Sequence, residues 1–302
     1  MLSITISPLM PNDAEDWFRC MRRGDFSRAW EITDADVRRR RGQPCWHLPR
    51  HLQWIWDGTP LDGKRVLIRC YHGLGDTLQF IRYAALVKQI AAEVIVWAPA
   101  ALLPLLQTVE GIDRLLPLHD GSPEVEYDVD VEVMELAHVF RSTLDTLPRD
   151  IPYVHAPPAP PLRSPAIGLF WQGGDWDGSR SIRFEDLTPI LETGLSFVPL
   201  QRELTETHPS FVIREEVNTI HGTASLMRAL DLVITVDSMP AHLAGALGIP
   251  VWTLLPAVND WRWMENRDDS PWYPTMKLFR QETADDWTSV IRRVASSVMA
   301  SR

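Results

Sequence analysis

Long apolar runs are missing from this chain. No stretch of about 18 uninterrupted apolar residues occurs, so no membrane-spanning helix is expected. The opening stretch, Met1 to Pro11, has no basic flank and makes a poor secretory signal, which points to a cytoplasmic protein. At most it would visit the inner membrane face as a peripheral protein. Cysteine is scarce: Cys20, Cys45 and Cys70 are widely spaced, form no CxxC pair and leave one over. That argues against a disulfide framework and against a zinc site, and it leaves three reduced thiols. Basic charge is also in short supply. With 30 Lys and Arg against 40 Asp and Glu the formal net charge is -10, which argues against nucleic acid as a partner. The one basic run, Arg38 to Arg41, reads as a solvated helix end.

What is there in quantity is tryptophan and α/β patterning. Thirteen tryptophans gather around Trp46, Trp54 and Trp56 and again around Trp252, Trp261, Trp263 and Trp272. Most of them suit packing, because an indole combines a large apolar surface with one polar handle. At 302 residues the chain is longer than one core usually needs, so two α/β lobes with a small appendage are expected.

The appendage occupies residues 1–60. Residues 13 to 41 read as two short amphipathic helices joined at Gly24-Asp25, with Trp17, Phe18 and Met21 on one stripe and Phe26, Ala29, Trp30 and Ile32 on the other. The pair resembles a single degenerate tetratricopeptide-type unit. One such unit cannot bury its own face and must dock on the body of the protein.

Residues 61–156 make a first lobe. Lys64 to Cys70 is a buried-strand pattern, Gly73-Leu74-Gly75-Asp76 a turn, Thr77 to Ile90 a helix and Glu93 to Trp97 the next strand, together the unit of a parallel sheet. A helix near Leu102 to Val109 follows. Alternation of Asp128, Asp130 and Glu132 with valines predicts a half-buried edge strand near Tyr127 to Val133. Pro157-Pro158-Ala159-Pro160-Pro161 is the clearest linker. The second lobe, 157–302, has strands at Ala166 to Trp171, Ser196 to Leu200, Leu232 to Val236 and Val251 to Leu255. Its helices are expected at Phe184 to Leu191, Thr223 to Leu230, Met239 to Leu247 and Asp286 to Met299. Pro240 suits the first turn of its helix, and Gly248 followed by Pro250 suits the end.

Two turns stand at the carboxyl ends of predicted parallel strands, where open α/β sheets bind ligands. In His72-Gly73-Leu74-Gly75-Asp76-Thr77, Gly73 and Gly75 would let backbone approach a ligand, and Asp76 would sit at the mouth of the cleft; a tight turn with Asp76 or Thr77 as helix cap explains the same letters. In Asp237-Ser238-Met239-Pro240-Ala241-His242, free N–H groups and the positive end of a helix dipole suit a phosphate or diphosphate. Ser238 and His242 are spaced to face one ligand, although a capped helix with a satisfied histidine is the plainer alternative.

Four stretches together resemble the heptosyltransferase family, glycosyltransferase family nine, and within it the branch often fused to tetratricopeptide repeats. They are Gly73-Leu74-Gly75-Asp76, Trp171-Gln172-Gly173, Leu230 to Ser238 and Ala241 to Pro250. The resemblance runs from about Lys64 to about Arg293 and implies an α/β GT-B fold, two Rossmann-like lobes facing across a cleft. It implies an inverting, metal-independent transfer from a nucleotide-diphosphate sugar, ADP-heptose in this family, with no cofactor, to a glycan, lipid-linked or protein acceptor. It places the catalytic carboxylate on Asp76 and the donor diphosphate on Asp237, Ser238 and His242 beside Met239, with serine replacing the usual threonine. It also calls for a basic residue after the first strand of the second lobe, Arg180 or Arg183.

The chemistry agrees with this arrangement. A carboxylate whose pKa is raised by burial can take the acceptor's proton. Charge developing on the departing diphosphate must be met by fixed donors when no metal meets it. The segment Asn259 to Trp263 is expected to overhang the cleft, where Trp261 or Trp263 would cover the base or sugar, although packing against the terminal helix is the plainer role for most of it; Lys277 and Arg280 are weaker site candidates. Two other readings stand beside transfer: a nucleotide-sugar epimerase on the same scaffold, and a non-catalytic binding or scaffold protein.

Overall fold

The computed structural model describes residues 11–163, 165–174 and 177–300. The stretch weighed as a secretory signal therefore falls almost wholly outside the described residues. By its contacts the chain divides into a first unit, Met1–Asp150 with Asp260–Asn266, and a second, Ile151–Asn259 with Arg267–Arg302. Among the described residues no helix is long and apolar enough to cross a membrane.

The first unit begins with α1 (Pro11–Arg23) and α2 (Phe26–Arg40). Gly24, at φ +79°, makes the reversal between them, and a Cβ there would come 2.8 Å from Leu144. Asp25 caps α2 by accepting from the Arg28 N–H at 3.2 Å. The helix pair docks on its own unit, as a lone pair must: the Trp30 indole donates to the Ser142 carbonyl at 2.7 Å, and Asp34 takes hydrogen bonds from His138 at 2.9 Å and Arg141 at 2.7 Å.

A four-stranded parallel sheet follows, in the order β3-β2-β1-β4. Its strands are β1 (Arg65–Arg69), β2 (Glu93–Ala98), β3 (Arg114–Pro117) and β4 (Val129–Glu132). β1 is central, and Val66, Leu67 and Ile68 are fully buried, which is why this run is continuously apolar rather than alternating. The expected edge strand is β4. Its acidic alternation is more specific than half-burial required: Asp128 and Asp130 pair with Arg65 and Arg69 of β1, at 2.9 and 2.7 Å, while Glu132 is buried at 2% exposure. The helix expected over Thr77 to Ile90 is two, α3 (Leu74–Phe80) and α4 (Ala84–Ile90), separated by a 3-10 turn at Ile81–Tyr83. Two short helices, α5 (Leu103–Leu106) and α6 (Leu136–Val139), complete the unit. β3 carries no buried run and was not anticipated.

The second unit holds a five-stranded parallel sheet, β6-β5-β7-β8-β9. It comprises β5 (Ile167–Phe170), β6 (Phe197–Pro199), β7 (Leu232–Val236), β8 (Val251–Leu255) and β9 (Met276–Arg280), of which β9 was also unanticipated. Its helices are α7 (Thr188–Leu191), α8 (Ile220–Met227), α9 (Met239–Ala246) and α10 (Trp287–Ala300). α8 starts ahead of its expected position because Thr219 caps it, accepting from the Gly222 N–H at 2.9 Å. α10 lays Trp287, Val290, Ile291, Val294 and Val298 into the core formed by Leu169, Ile234 and Leu254. Gly248, at φ +72°, ends the α9 turn as expected.

Two boundaries differ from expectation. The second unit begins at Ile151, upstream of the proline-rich segment, which is tied down rather than free: Ala159 N–H donates to the Ser225 carbonyl at 2.8 Å. Asp260–Asn266 belongs to the first unit, not to the lobe that contains its neighbours in sequence.

The docking of the helix pair has a pH signature. Burial pushes the Asp34 carboxyl up, but hydrogen bonds from Arg141 and His138 outweigh it and hold the group below its ordinary value. Stability from a lowered carboxylate is complete above the unfolded value, about pH 4, and is lost as pH falls through the folded one. Burial also holds the His138 imidazole down, so acid works against the same contact. Asp34→Asn should cost about 1 kcal/mol at neutral pH and flatten the acid limb of thermal melts between about pH 3 and 7. An unchanged melting profile would show that the pair does not anchor the helices.

Candidate functional site

In each sheet the ligand position is set by strand order. The connections leave β1 toward β2 on one side and β4 lies on the other, so the first unit's order reverses between β1 and β4; the second unit's reverses between β5 and β7. The carboxyl ends of those strands are where open α/β sheets leave a crevice.

At the first position, β1 runs into the turn that starts α3. Gly73 is exposed and takes the N-cap place, and Gly75 lies in the first helical turn. Asp76 reaches back so that its Oδ2 accepts from the Gly73 N–H at 2.9 Å, which satisfies one of the helix's unpaired donors. A Cβ on Gly73 would stand 3.1 Å from that oxygen. The other oxygen, Oδ1, accepts from Arg262 Nη2 at 2.6 Å. Arg262 is 7% exposed, also pairs with Asp260 at 3.0 Å, and lies over the Trp261 and Phe80 rings at 5.1 and 5.9 Å. Asp76 is thus an ion-paired helix-capping carboxylate with a side chain 22% exposed, in line with the helix-cap alternative that the turn offered.

Around it, β1 and β4 bring together side chains that sequence reading passed over. His72 Nδ1 lies 2.9 Å from Glu132 Oε1, although out of line for a hydrogen bond. Glu132 accepts from the Tyr71 N–H at 3.2 Å and the Met134 N–H at 2.7 Å. Glu135 accepts backbone N–H groups of Ile55, Trp56 and Glu132, at 3.3, 3.0 and 2.8 Å. Burial pushes the Glu135 carboxyl up to about 7.

At the second position, Ser238 is the N-cap of α9 in extended backbone, and its hydroxyl donates to the Val236 carbonyl at 3.2 Å. Met239 and Pro240 open the helix. Asp237 is buried at 4% exposure, and its carbonyl accepts from Arg180 Nη1 at 3.2 Å. Arg180 therefore stands at the start of α9, with its buried Nε 3.8 Å from Asp177 Oδ2. Arg183 does not join it: its side chain is 80% exposed and paired with Asp186 at 3.0 Å.

His242 is 4% exposed, and its Nδ1 is 3.0 Å from the Tyr273 hydroxyl, the contact of a satisfied histidine that the sequence offered as the plainer alternative. Trp261 is a packing residue, 3% exposed, but it packs edge-on against Trp17 at 5.3 Å within the first unit and not against the terminal helix. Trp263 is fully buried. Lys277 projects from β9 over the Phe279 ring at 4.8 Å, and Arg280 donates to Asn259 at 3.0 Å. Arg262 and Tyr273, which hold Asp76 and His242, left no signal in the sequence beyond lying in the tryptophan-rich stretch, because their partners are remote in sequence.

No family model matches the chain. Protein FlbA of Caulobacter vibrioides is 26% identical over 296 aligned residues, covering 80% of this chain and 48% of that protein. The chain thus spans about half the length of the curated relative it matches. Among solved structures, the glycosyl transferase family 9 protein of Veillonella parvula superposes with a TM-score of 0.55 at 12% identity, over 80% of this chain and 98% of that one. The ADP-heptose lipopolysaccharide heptosyltransferase II of Escherichia coli gives 0.55 at 16% identity, over 78% and 98%. The dodecameric iron-containing heptosyltransferase TibC, solved with ADP-D-beta-D-heptose, gives 0.56 at 13% identity, over 80% and 77%. The chain has the α/β fold of these GT-B glycosyltransferases, with its N-terminal helices added.

The His242 arrangement depends on a glycine. A Cβ on Gly245 would stand 2.4 Å from the Tyr273 ring, so only glycine lets that ring lie against α9 and reach His242. Gly245→Ala should destabilise the protein by about 1–3 kcal/mol in chemical denaturation. Equal stability would mean that the ring is free to move aside.

Proposed function

We propose that this chain is an inverting, metal-independent glycosyltransferase that takes a sugar from a nucleotide-diphosphate donor, with the diphosphate bound at the start of α9. The observation that carries the reading is Arg180: a guanidinium from the loop after β5 is docked on the Asp237 carbonyl, at the end of the helix where backbone N–H groups already favour an anion. Two fixed positive elements of this kind meet the charge that grows on a departing diphosphate. Ser238 supplies hydroxyl lone pairs at the same point, and Met239 the first helical N–H. His242 acts from behind, as a buried support for the first turn of α9 through Tyr273.

Asp76 is the proposed base for the acceptor hydroxyl. A carboxylate offers about four lone-pair sites, so bonds from Gly73 and Arg262 fix its orientation and still leave room for a substrate hydroxyl. ADP-heptose is the proposed donor, on the motif resemblance and on the nucleotide sugar bound by TibC. The acceptor is a glycan, lipid-linked sugar or protein. A lipid-linked acceptor would bring the enzyme to the inner face of a membrane.

The test is nucleoside diphosphate release from ADP-heptose and other nucleotide sugars, with and without acceptors. Acceptor-dependent release supports transfer; isomerised donor without acceptor would replace it with epimerisation, and donor binding without turnover would leave a scaffold protein. Asp76→Asn should lower transfer by at least about 100-fold while donor affinity stays within about twofold. Wild-type turnover in that variant would remove Asp76 as the base. Arg180→Met should weaken ADP binding by about tenfold or more, read by calorimetry, and an unchanged dissociation constant would move the diphosphate away from α9.

A further inference from the structure

The first unit contains a cavity of about 210 Å³ that the proposed donor site does not use. It lies at the reversal point of the first sheet, where His72 follows β1 and Glu132 ends β4, and it is closed over by α2 and the loop 41–57. Six of the chain's thirteen tryptophans line it: Trp17, Trp30, Trp46, Trp54, Trp56 and Trp261. Packing accounts for Trp17, Trp30 and Trp261, which are buried. It does not account for Trp46, which is 59% exposed, or for Trp54 and Trp56, which are half-buried. Exposed and half-exposed indoles around a cavity offer flat apolar faces to a ligand. Their orientations are set: Arg69 lies over Trp46 at 5.4 Å, Arg40 over Trp54 at 5.0 Å, and the Trp56 indole donates to the Thr59 carbonyl at 2.8 Å.

The polar groups of the wall are equally fixed. Glu132 and Glu135 are each held by backbone N–H groups, as described above, and each retains unused lone pairs. The Gln53 carbonyl oxygen is buried without a partner while its amide nitrogen donates to Leu48 at 2.8 Å. Acceptors of this kind in a buried wall call for a ligand that brings hydroxyl donors. An alkyl chain would strip them of water and return nothing. The cations of the wall are already engaged, Arg40 with Asp36 and Arg41 with the Asp57 carbonyl, so a phosphate or other anion would meet the buried Glu132 carboxylate without a cation to offset it.

We propose that this cavity is a binding site for a neutral saccharide, one pyranose ring seated with its C–H face on the Trp46–Trp54–Trp56 wall and its hydroxyls on Glu132, Glu135 and Gln53. The helical extension is then part of a recognition site. That the saccharide is the acceptor rests on the transferase reading; that it binds does not.

Tryptophan fluorescence of the intact protein, titrated with methyl pyranosides and neutral disaccharides, with glucuronic acid, with 1-octanol and separately with ADP, tests this. At least one neutral saccharide should give a saturable change. Trp54→Ala and Trp46→Ala should each weaken it by about tenfold, the loss of one stacked ring, and leave ADP binding as in the wild type. The exposed position of Trp46 keeps the test open should Trp54→Ala misfold. The proposal is overturned if no neutral saccharide binds, if both variants bind as well as wild type, or if octanol or glucuronate binds more tightly. Saccharide binding without ADP binding would sink the donor reading and leave this one standing.

Discussion

Arg262 is a buried cation, and the first unit is organised around keeping it paired. Taking a guanidinium out of water costs several kcal/mol, and the cost is offset only when well-placed anions and hydrogen bonds surround it. Asp76 and Asp260 supply the anions, and the Trp261 and Phe80 rings supply polarisable faces. Removing either carboxylate strands part of that charge. The arrangement therefore fixes the Asp260–Asn266 segment on the first unit and fixes the turn between β1 and α3 at the same time.

Asp76 consequently has two duties. It caps α3 and neutralises Arg262, and it is the carboxylate that the proposed chemistry requires. These are compatible because a guanidinium bond is directional: Arg262 takes Oδ1 and the Gly73 N–H takes Oδ2, which holds the carboxylate in one rotamer. A base held in one orientation loses less freedom when an acceptor hydroxyl arrives.

The second unit fixes its own site by a different device. α9 is nearly featureless in sequence, a small-residue helix buried along most of its length, and Gly245 is the reason it can lie against Tyr273. That contact holds His242 against Tyr273, while Arg180 and the helix's own N–H groups stand at the proposed diphosphate position. Preorganisation here comes from backbone proximity, with few charged groups. Charges are costly to hold buried, whereas a helix terminus carries its field without any added ion.

How much of this could be read from the letters follows from the range of each interaction. Strands β1, β5, β7 and β8, both turns and the stop at Gly248 were legible because they rest on local pattern: apolar runs buried on two faces, glycine at positive φ, proline in a first helical turn. β3 and β9 were not, because their short, partly exposed runs become strands only through a neighbour's unpaired backbone edge. Asp76, Asp237 and Ser238 were likewise legible as residues of these two turns. Their partners were not: Arg262 for Asp76, Tyr273 for His242, and the choice of Arg180 over Arg183. Trp261 illustrates the same divide: packing was legible as the plainer role of its segment, but not that its partner would be Trp17. The sequence by itself determined which backbone segments would be strands, turns and helix starts, since these depend on residues a few positions apart. Only the tertiary structure decided which side chain neutralises which, because that depends on distances between segments far apart along the chain.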